Sequence, residues 1–242
     1  MLQETQGIVI KTLKYGDTSI ISHILTRDLG VQSYLIKGVR STKAKHKASL
    51  YQPPNILDLV VYYRANKNLQ HVKEARHEHI YRSLPFDIRK SSIALFIAEL
   101  LTKTVIEEEN NPPLFEFIRQ HLVYLDEQEE VDATFHFHFM LQLSRFLGFY
   151  PDAGTYSSQP IFDLREGIFK SEAPPHASYI EHPYSQYIHQ LLQARNMPTD
   201  LSIPAGHKTP LLDKILLFYS YHVENFGTMK SHRVLNEVLR SS

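Results

Sequence analysis

The spacing of apolar residues changes once along this chain, near Arg82, and that change limits its fold more than any other feature. Before it, apolar and polar positions alternate. After it, apolar positions recur every three or four residues. Period two belongs to strands and period 3.6 to helices, so the two stretches must build different kinds of element. We expect a β module over residues 1–82 and an α-helical domain over 83–242.

The β stretch resolves into five short strands. Gly7 to Leu13 is rich in β-branched residues, and Tyr15-Gly16-Asp17 is a turn signal. Thr18 to Thr26, Val31 to Val39 and Ile56 to Tyr63 follow, and Leu57, Leu59, Val61 and Tyr63 share one apolar face of the fourth. Asn66-Lys67-Asn68 turns the chain into a fifth, more polar strand, Leu69 to Arg76, expected at an edge. Five strands in so short a span suggest a small closed barrel, since closure removes exposed edges. The stretch from Arg40 to Pro54 shows no strand pattern and fits the long connection of an OB-fold. The expected fold class is therefore β + α: an N-terminal OB-fold barrel followed by an α-helical domain.

In the second part, Asp87 to Glu108 carries a stripe of Ile88, Ser91, Leu95, Ala98, Leu101 and Val105. Asn110-Asn111-Pro112-Pro113 stops it, and Pro113 opens a second helix running to about Leu125. Further helices are expected over Ala133–Leu147, Pro183–Arg195, Lys208–Asn225 and Ser231–Leu239. Residues 150–177 are irregular, rich in Pro, Gly and Ser, with strand-like pieces at Ile161–Leu164 and Gly167–Phe169.

Charge follows the same division. Formal net charge is zero, from 26 Lys+Arg and 26 Asp+Glu. Residues 1–82 hold 13 of the cations and 6 of the acids, a net of +7, so residues 83–242 carry −7. A neutral sum would argue against nucleic acid, but its distribution points to a basic interaction module joined to an acidic partner domain. The chain has no cysteine, hence no disulfide, thiol nucleophile or cysteine-ligated zinc, which fits a reducing compartment. Its start lacks the basic and apolar regions of a signal peptide, and its longest apolar run is six residues, Ile93 to Ala98. A spanning helix needs about 20. We expect a soluble, cytoplasmic protein without membrane contact.

The most informative cluster is basic. Lys37, Arg40, Lys43, Lys45 and Lys47 fall within eleven residues with no acid between them, flanked by Tyr34 and Tyr51. Cations neutralise phosphates and release counterions, while aromatic rings stack on unpaired bases. The same residues fit a solvated loop kept basic for solubility, and strand tyrosines more often pack in a core or rim. The run Phe135-His136-Phe137-His138-Phe139 reads as helix, where i and i+2 side chains diverge and cannot share an ion. His71, His77 and His79 mix with charged neighbours and read as solvated surface. We therefore expect no metal and no cofactor. No phosphate-binding glycine loop, dinucleotide fingerprint or nucleophile elbow is present, so catalytic residues are expected to be absent.

The order of short motifs carries a resemblance. Gly7-Ile8-Val9-Ile10-Lys11-Thr12, Tyr15-Gly16-Asp17-Thr18-Ser19, Leu25-Thr26-Arg27-Asp28-Leu29-Gly30, Lys37-Gly38-Val39-Arg40-Ser41 and Leu50-Tyr51-Gln52-Pro53 resemble the N-terminal domain of the RecO family of bacterial recombination mediators. Phe146 to Asp152 and Arg233 to Leu239 resemble its C-terminal half more loosely. The resemblance implies an OB-fold followed by a helical domain. It implies binding to single- and double-stranded DNA, annealing of complementary strands, and loading of the RecA recombinase on DNA coated by single-strand-binding protein (SSB). It also implies two protein partners, RecR and the acidic C-terminal tail of SSB, and a nucleoid-associated location. By position, Lys37, Arg40 and the following lysines match the family's basic loop, and Gly38 matches the glycine of its K-G-x-R pattern. The chain departs from the family at Gly154 to Ala177, where many members carry a four-cysteine zinc module. This lobe is expected to be metal-free and held by Ile161, Phe162, Leu164, Ile168 and Phe169.

Three functions compete. A non-enzymatic DNA-binding mediator would hold phosphates with Lys37, Arg40, Lys43, Lys45 and Lys47 and stack bases on Tyr34 or Tyr51. A protein-interaction scaffold would dock an acidic partner on the same barrel; no pattern locates a pocket for an acidic tail in the helical domain, although Arg119 and Arg145 lie on helices that could line one. An enzyme without a recognised motif is the third.

Overall fold

The computed structural model describes residues 1–39, 48–105, 110–157, 160–194 and 201–240. Arg40, Lys43, Lys45 and Lys47 lie outside the described residues. Contacts divide the chain into two compact units, Met1–Glu129 and Glu130–Ser242.

In the first unit, β1 (Leu2–Tyr15), β2 (Ser19–Thr26), β3 (Gly30–Ile36), β4 (Ile56–Tyr62) and β5 (Gln70–His77) close into a barrel in the order β1-β2-β3-β5-β4. This is the expected OB-fold barrel. Closure corrects one expectation: β5 is not an edge. It pairs antiparallel with β4 and parallel with β3 through Tyr34–Gln70 and Leu35–His71. The β3–β5 pairing joins segments distant in sequence, so the polar character of β5 suggested an edge that does not exist. Register shifts in β1 between Val9 and Lys11, and in β4–β5 at Val60/Val61, supply the bends a five-stranded barrel needs. Gly7 sits where β1 crosses the core: a Cβ there would lie 2.6 Å from Ile24 Cγ2 and 2.8 Å from Leu59 Cδ1. Val9, Ile20, Ile24, Ile36, Leu57, Leu59 and Val61 fill the interior.

Two helices complete this unit. α1 (Ile88–Thr104) starts at Asp87, whose carboxylate accepts from the backbone N–H groups of Arg89 and Lys90. The expected stripe on α1 is only half right. Leu101 and Ala98 are buried, but Ile88 and Leu95 are 67% and 55% exposed. Phe96, Ile97, Leu100 and Ile93 supply the packing instead. α2 (Pro112–Glu127) is capped by Asn111, with Pro112 in its first turn.

A buried polar knot ties α1 and α2 to the chain leaving the barrel. Asp126 accepts from the backbone N–H groups of Arg82, Ser83 and Leu84 at 2.8–3.0 Å, and its Oδ2 lies 3.1 Å from His79 Nε2. Three successive amides make a concave anion cradle. Lys90, 2% exposed, donates to Ser83 Oγ and to the carbonyls of Asp126 and Gln128. It thereby satisfies carbonyls at the negative end of α2.

The second unit holds α3 (Phe135–Phe146), a small sheet β7-β6-β8 from Ile168–Lys170, Ile161–Asp163 and Tyr179–Ile180, then α4 (Tyr184–Gln193), α5 (Ala205–His222) and α6 (Ser231–Arg240). Its lobe is packed through Phe162, Leu164 and Phe169, while Ile161 and Ile168 are half-buried. It also carries an ionic core that the apolar pattern does not announce. The fully buried Asp163 carboxylate accepts from Lys170 Nζ at 2.8 Å and from the Arg165 and Glu166 N–H groups. His176 Nε2 stands 3.5 Å from the same carboxylate.

Candidate nucleic-acid interface

The strand register lines up the outer surface of the barrel. Leu13 lies opposite Ile21, Ile21 opposite Leu35, Leu35 opposite His71, and His71 opposite Tyr62. Directly paired residues share a face, so these five form one outward row crossing all five strands. A second row, Lys11–His23–Ser33, runs beside it. Leu13, Tyr15 and Tyr62 are exposed large apolar side chains, at 45%, 53% and 49%. Lys11, Lys14 and His71 are exposed among them. Exposed rings and aliphatic chains beside cations suit a ligand with both apolar faces and negative charge.

Lys37 opens the basic stretch. It is exposed and lies two residues after Leu35 in the row. Gly38 follows with φ of +70°, a backbone conformation that side chains disfavour, and this lets the chain leave β3 sharply.

Tyr34 and Tyr51 do not join this surface. Both are fully buried, Tyr34 on the inward side of β3 and Tyr51 in the short 3₁₀ turn Ala48–Tyr51. Burial pushes both hydroxyls well above their ordinary pKa. The expectation that either ring stacks on a base is corrected, because neither presents a face to a ligand. The β3 alternation held the signal: Tyr34 shares parity with Ile36 and so points inward. The same argument applied to β4 puts Tyr63 with the inward set and Tyr62 outward.

His23, on the second row, is half-buried and accepts or donates with Ser33 Oγ at 2.9 Å. Burial, and then the nearby Lys11 charge, hold its imidazole below its ordinary pKa. Its ring is thus less ready to carry charge than a free imidazole.

Among the described residues of this unit, two clefts bear on a phosphate ligand. One, of about 740 Å³, is lined by Glu4, Asp28, Asp58 and Glu74 against Arg27 and Arg76, with Arg76 already 3.1 Å from Asp58. Phosphate would meet four carboxylates there. The other, of about 460 Å³, is lined by Tyr62, Arg64, Lys67, Leu69, Gln70 and His71 and contains no acid.

Arg119 and Arg145, on helices that could line an acidic-tail pocket, are both engaged. Arg119 bonds Glu78 through Nε and Nη2 and lies 3.4 Å from Glu116, and these bonds raise its pKa. Arg145 stacks over the Tyr150 ring at 4.3 Å. Among the described residues, no group of three or more His, Asp or Glu side chains is arranged to hold a metal ion. No helix of the described residues is long and apolar enough to cross a membrane.

Comparison with known proteins agrees along the whole chain. Residues 1–81 match the family model for the recombination protein O N terminal, and residues 85–232 match that for the recombination protein O C terminal. The DNA repair protein RecO of Phocaeicola vulgatus is 36% identical over 239 residues, covering 98% of this chain and 99% of that one. The RecO protein of Bacteroides fragilis is 37% identical over 240 residues, again covering 98% and 99%. That of Christiangramia forsetii is 33% identical over the same length and coverage.

Proposed function

The chain belongs to the RecO family of DNA repair proteins, and on that footing we propose that it is a non-enzymatic recombination mediator that binds single- and double-stranded DNA through its barrel. It anneals complementary strands and, with RecR, assists RecA loading on DNA coated by SSB, whose acidic tail is its second protein partner. It works in the cytoplasm, at the nucleoid.

The observation that carries this reading is a closed barrel with a net charge of +7, from which an exposed Lys37 leads directly into Arg40, Lys43, Lys45 and Lys47. Annealing needs no bond chemistry. Screening of phosphate repulsion and transient alignment of two strands suffice, and both are supplied by a cationic surface. The −7 of the remaining chain keeps DNA from coating the whole molecule and leaves that surface to proteins.

The test is the salt dependence of binding of the full chain to a labelled oligonucleotide. Five contacts with single-stranded phosphates give a slope of roughly −3.5 for log K against log salt. Replacing Lys37, Arg40, Lys43, Lys45 and Lys47 together by Ala should remove most of that slope. An unchanged slope overturns the placement on this loop. A labelled acidic peptide competing in the same tube reports whether the loop serves an acidic protein instead.

A further inference from the structure

We propose that the β4–β5 connection is a nucleotide subsite that takes one unstacked nucleotide of a single strand, its base against Tyr62 and its phosphate between Arg64 and Lys67. The inference rests on the DNA-binding reading and deepens it. It names where a single strand is told apart from a duplex.

Four observations converge on this connection. The cleft of about 460 Å³ is within the range of pockets that hold small ligands. Its wall, Tyr62, is half exposed and continues the outward row through His71 to Leu35, beside Lys37. Its charge is uniform: from Leu59 to Lys73 the sequence holds Arg64, Lys67 and Lys73 and no acid. Arg64 and Lys67 make no ion pair among the described residues, whereas Arg76 and Arg119 are both tied to carboxylates. Unpaired cations on a positive surface are the ones available to phosphate.

The fourth observation is that the loop is built to hold its shape. Gln70 is 2% exposed, and its amide is spent on the loop backbone. Nε2 donates to the carbonyls of Arg64 and Lys67 at 2.9 and 2.6 Å, and Oε1 accepts from the Arg64 N–H at 3.0 Å. The Lys67 N–H closes the turn on the Arg64 carbonyl at 3.1 Å. A buried amide with three bonds to one loop fixes where both cations start, so less ordering is needed when a phosphate arrives. Gln70 is thus a positioning residue. Tyr62, Arg64 and Lys67 would touch the ligand.

Stacking requires a base with a free face, which a duplex withholds. The full chain is titrated into labelled oligo(dT) and into a labelled duplex hairpin, with thermal unfolding as a fold control. Tyr62→Ala should weaken oligo(dT) binding roughly tenfold or more and change duplex binding by less than about twofold. Tyr62→Phe, which keeps the ring, should recover most of the loss. Arg64→Ala with Lys67→Ala should lower the single-strand salt slope by roughly 1.4. Gln70→Ala should weaken oligo(dT) binding while leaving that slope nearly unchanged. If Tyr62→Ala leaves oligo(dT) binding intact, or weakens duplex equally, the subsite is overturned while the DNA-binding reading stands. If Tyr62→Ala instead abolishes capture of a protein partner with DNA affinity kept, the row is a protein surface and the subsite falls. If the unaltered chain binds neither DNA, both readings fail.

Discussion

Among the described residues each unit buries one carboxylate, and the two are neutralised by different means. Asp126, in the first unit, is held by three successive backbone N–H groups and the His79 ring. Asp163, in the second, leans on the Lys170 ammonium, with Glu166 sharing that cation at 3.0 Å and His176 standing by. Burial raises both carboxyls, and the bonds more than offset it, so both sit below the usual range, Asp126 at about 2. Peptide dipoles do not titrate, whereas side chains do. The second unit goes further and buries two histidines, His136 and His138, on α3. The first unit therefore surrounds its carboxylate mainly with peptide N–H groups, and Lys37, Arg64 and Lys67 stay exposed, where a polyanion can reach them. The second unit spends titratable groups on holding itself together.

The largest effect that would sharpen this contrast is the loss of Asp126. Asp126→Ala leaves the amides of Arg82, Ser83 and Leu84 without their acceptor at the place where the barrel chain meets α1 and α2. We expect a loss of about 3–5 kcal/mol, seen as a lower denaturant midpoint. Asp126→Asn keeps one acceptor oxygen and should cost less. A loss under about 1 kcal/mol for the alanine variant would show that water replaces the carboxylate and that the knot is not what joins these elements.

None of this knot was legible in the sequence. Asp126 and Lys90 are ordinary charged residues in helix patterns, and nothing local says that either is buried. The backbone partners of Asp126 lie 42–44 residues away, and the carbonyls that Lys90 bonds lie 36–38 residues away. The barrel itself was legible because alternation is a local signal, and its closure followed from strand count. What alternation could not show was the β3–β5 pairing, since parallel pairing of distant segments leaves no trace in either strand. The buried tyrosines were misplaced for the opposite reason. A stacking ring and a core ring are the same residue type, and only the parity of Tyr34 with Ile36 tells them apart. Half of the α1 stripe failed because a helix packed on most of its circumference has no single apolar face to read. The ionic core of the lobe stayed hidden beneath an apolar pattern of which Phe162, Leu164 and Phe169 are buried.

The next largest effect is acid. In the folded chain burial, and then the charge of Lys208, hold His136 at about 3, against 6.5 for the free side chain. Between those values the unfolded chain binds a proton that the folded chain refuses. The stability His136 contributes is complete above pH 6.5 and is lost as pH falls toward 3. At pH 4.5 the loss is roughly 3 kcal/mol. His138 is lowered in the same direction by burial. Asp126 works in a lower window: its contribution is present above 3.8 and is lost as pH falls through about 2. Hydrogen exchange at pH 4.5 and 7.0, corrected for intrinsic rates, should therefore show α3 peptides losing protection while β1–β4 peptides keep it. His136→Gln should flatten the dependence. Equal loss in both units would break the comparison.

The smallest effect separates the two interiors by a single oxygen. Tyr219, in α5, is fully buried and donates its hydroxyl to the Met140 carbonyl at 2.6 Å. Tyr34, equally buried in the barrel, has no hydrogen-bond partner for its hydroxyl among the described residues. The two rings contribute the same apolar area, so Tyr→Phe at each position isolates the hydroxyl. A buried hydroxyl with a partner adds about 1 kcal/mol net, and one without a partner carries an uncompensated desolvation cost. Tyr219→Phe should then destabilise the second unit by about 1 kcal/mol. Tyr34→Phe should leave the first unconfined by any penalty, neutral or up to about 1 kcal/mol more stable. Denaturant midpoints at fixed pH decide it. A matching loss at Tyr34 would mean that an ordered water supplies an acceptor inside the barrel, and the two interiors would then be alike in satisfying their buried hydroxyls.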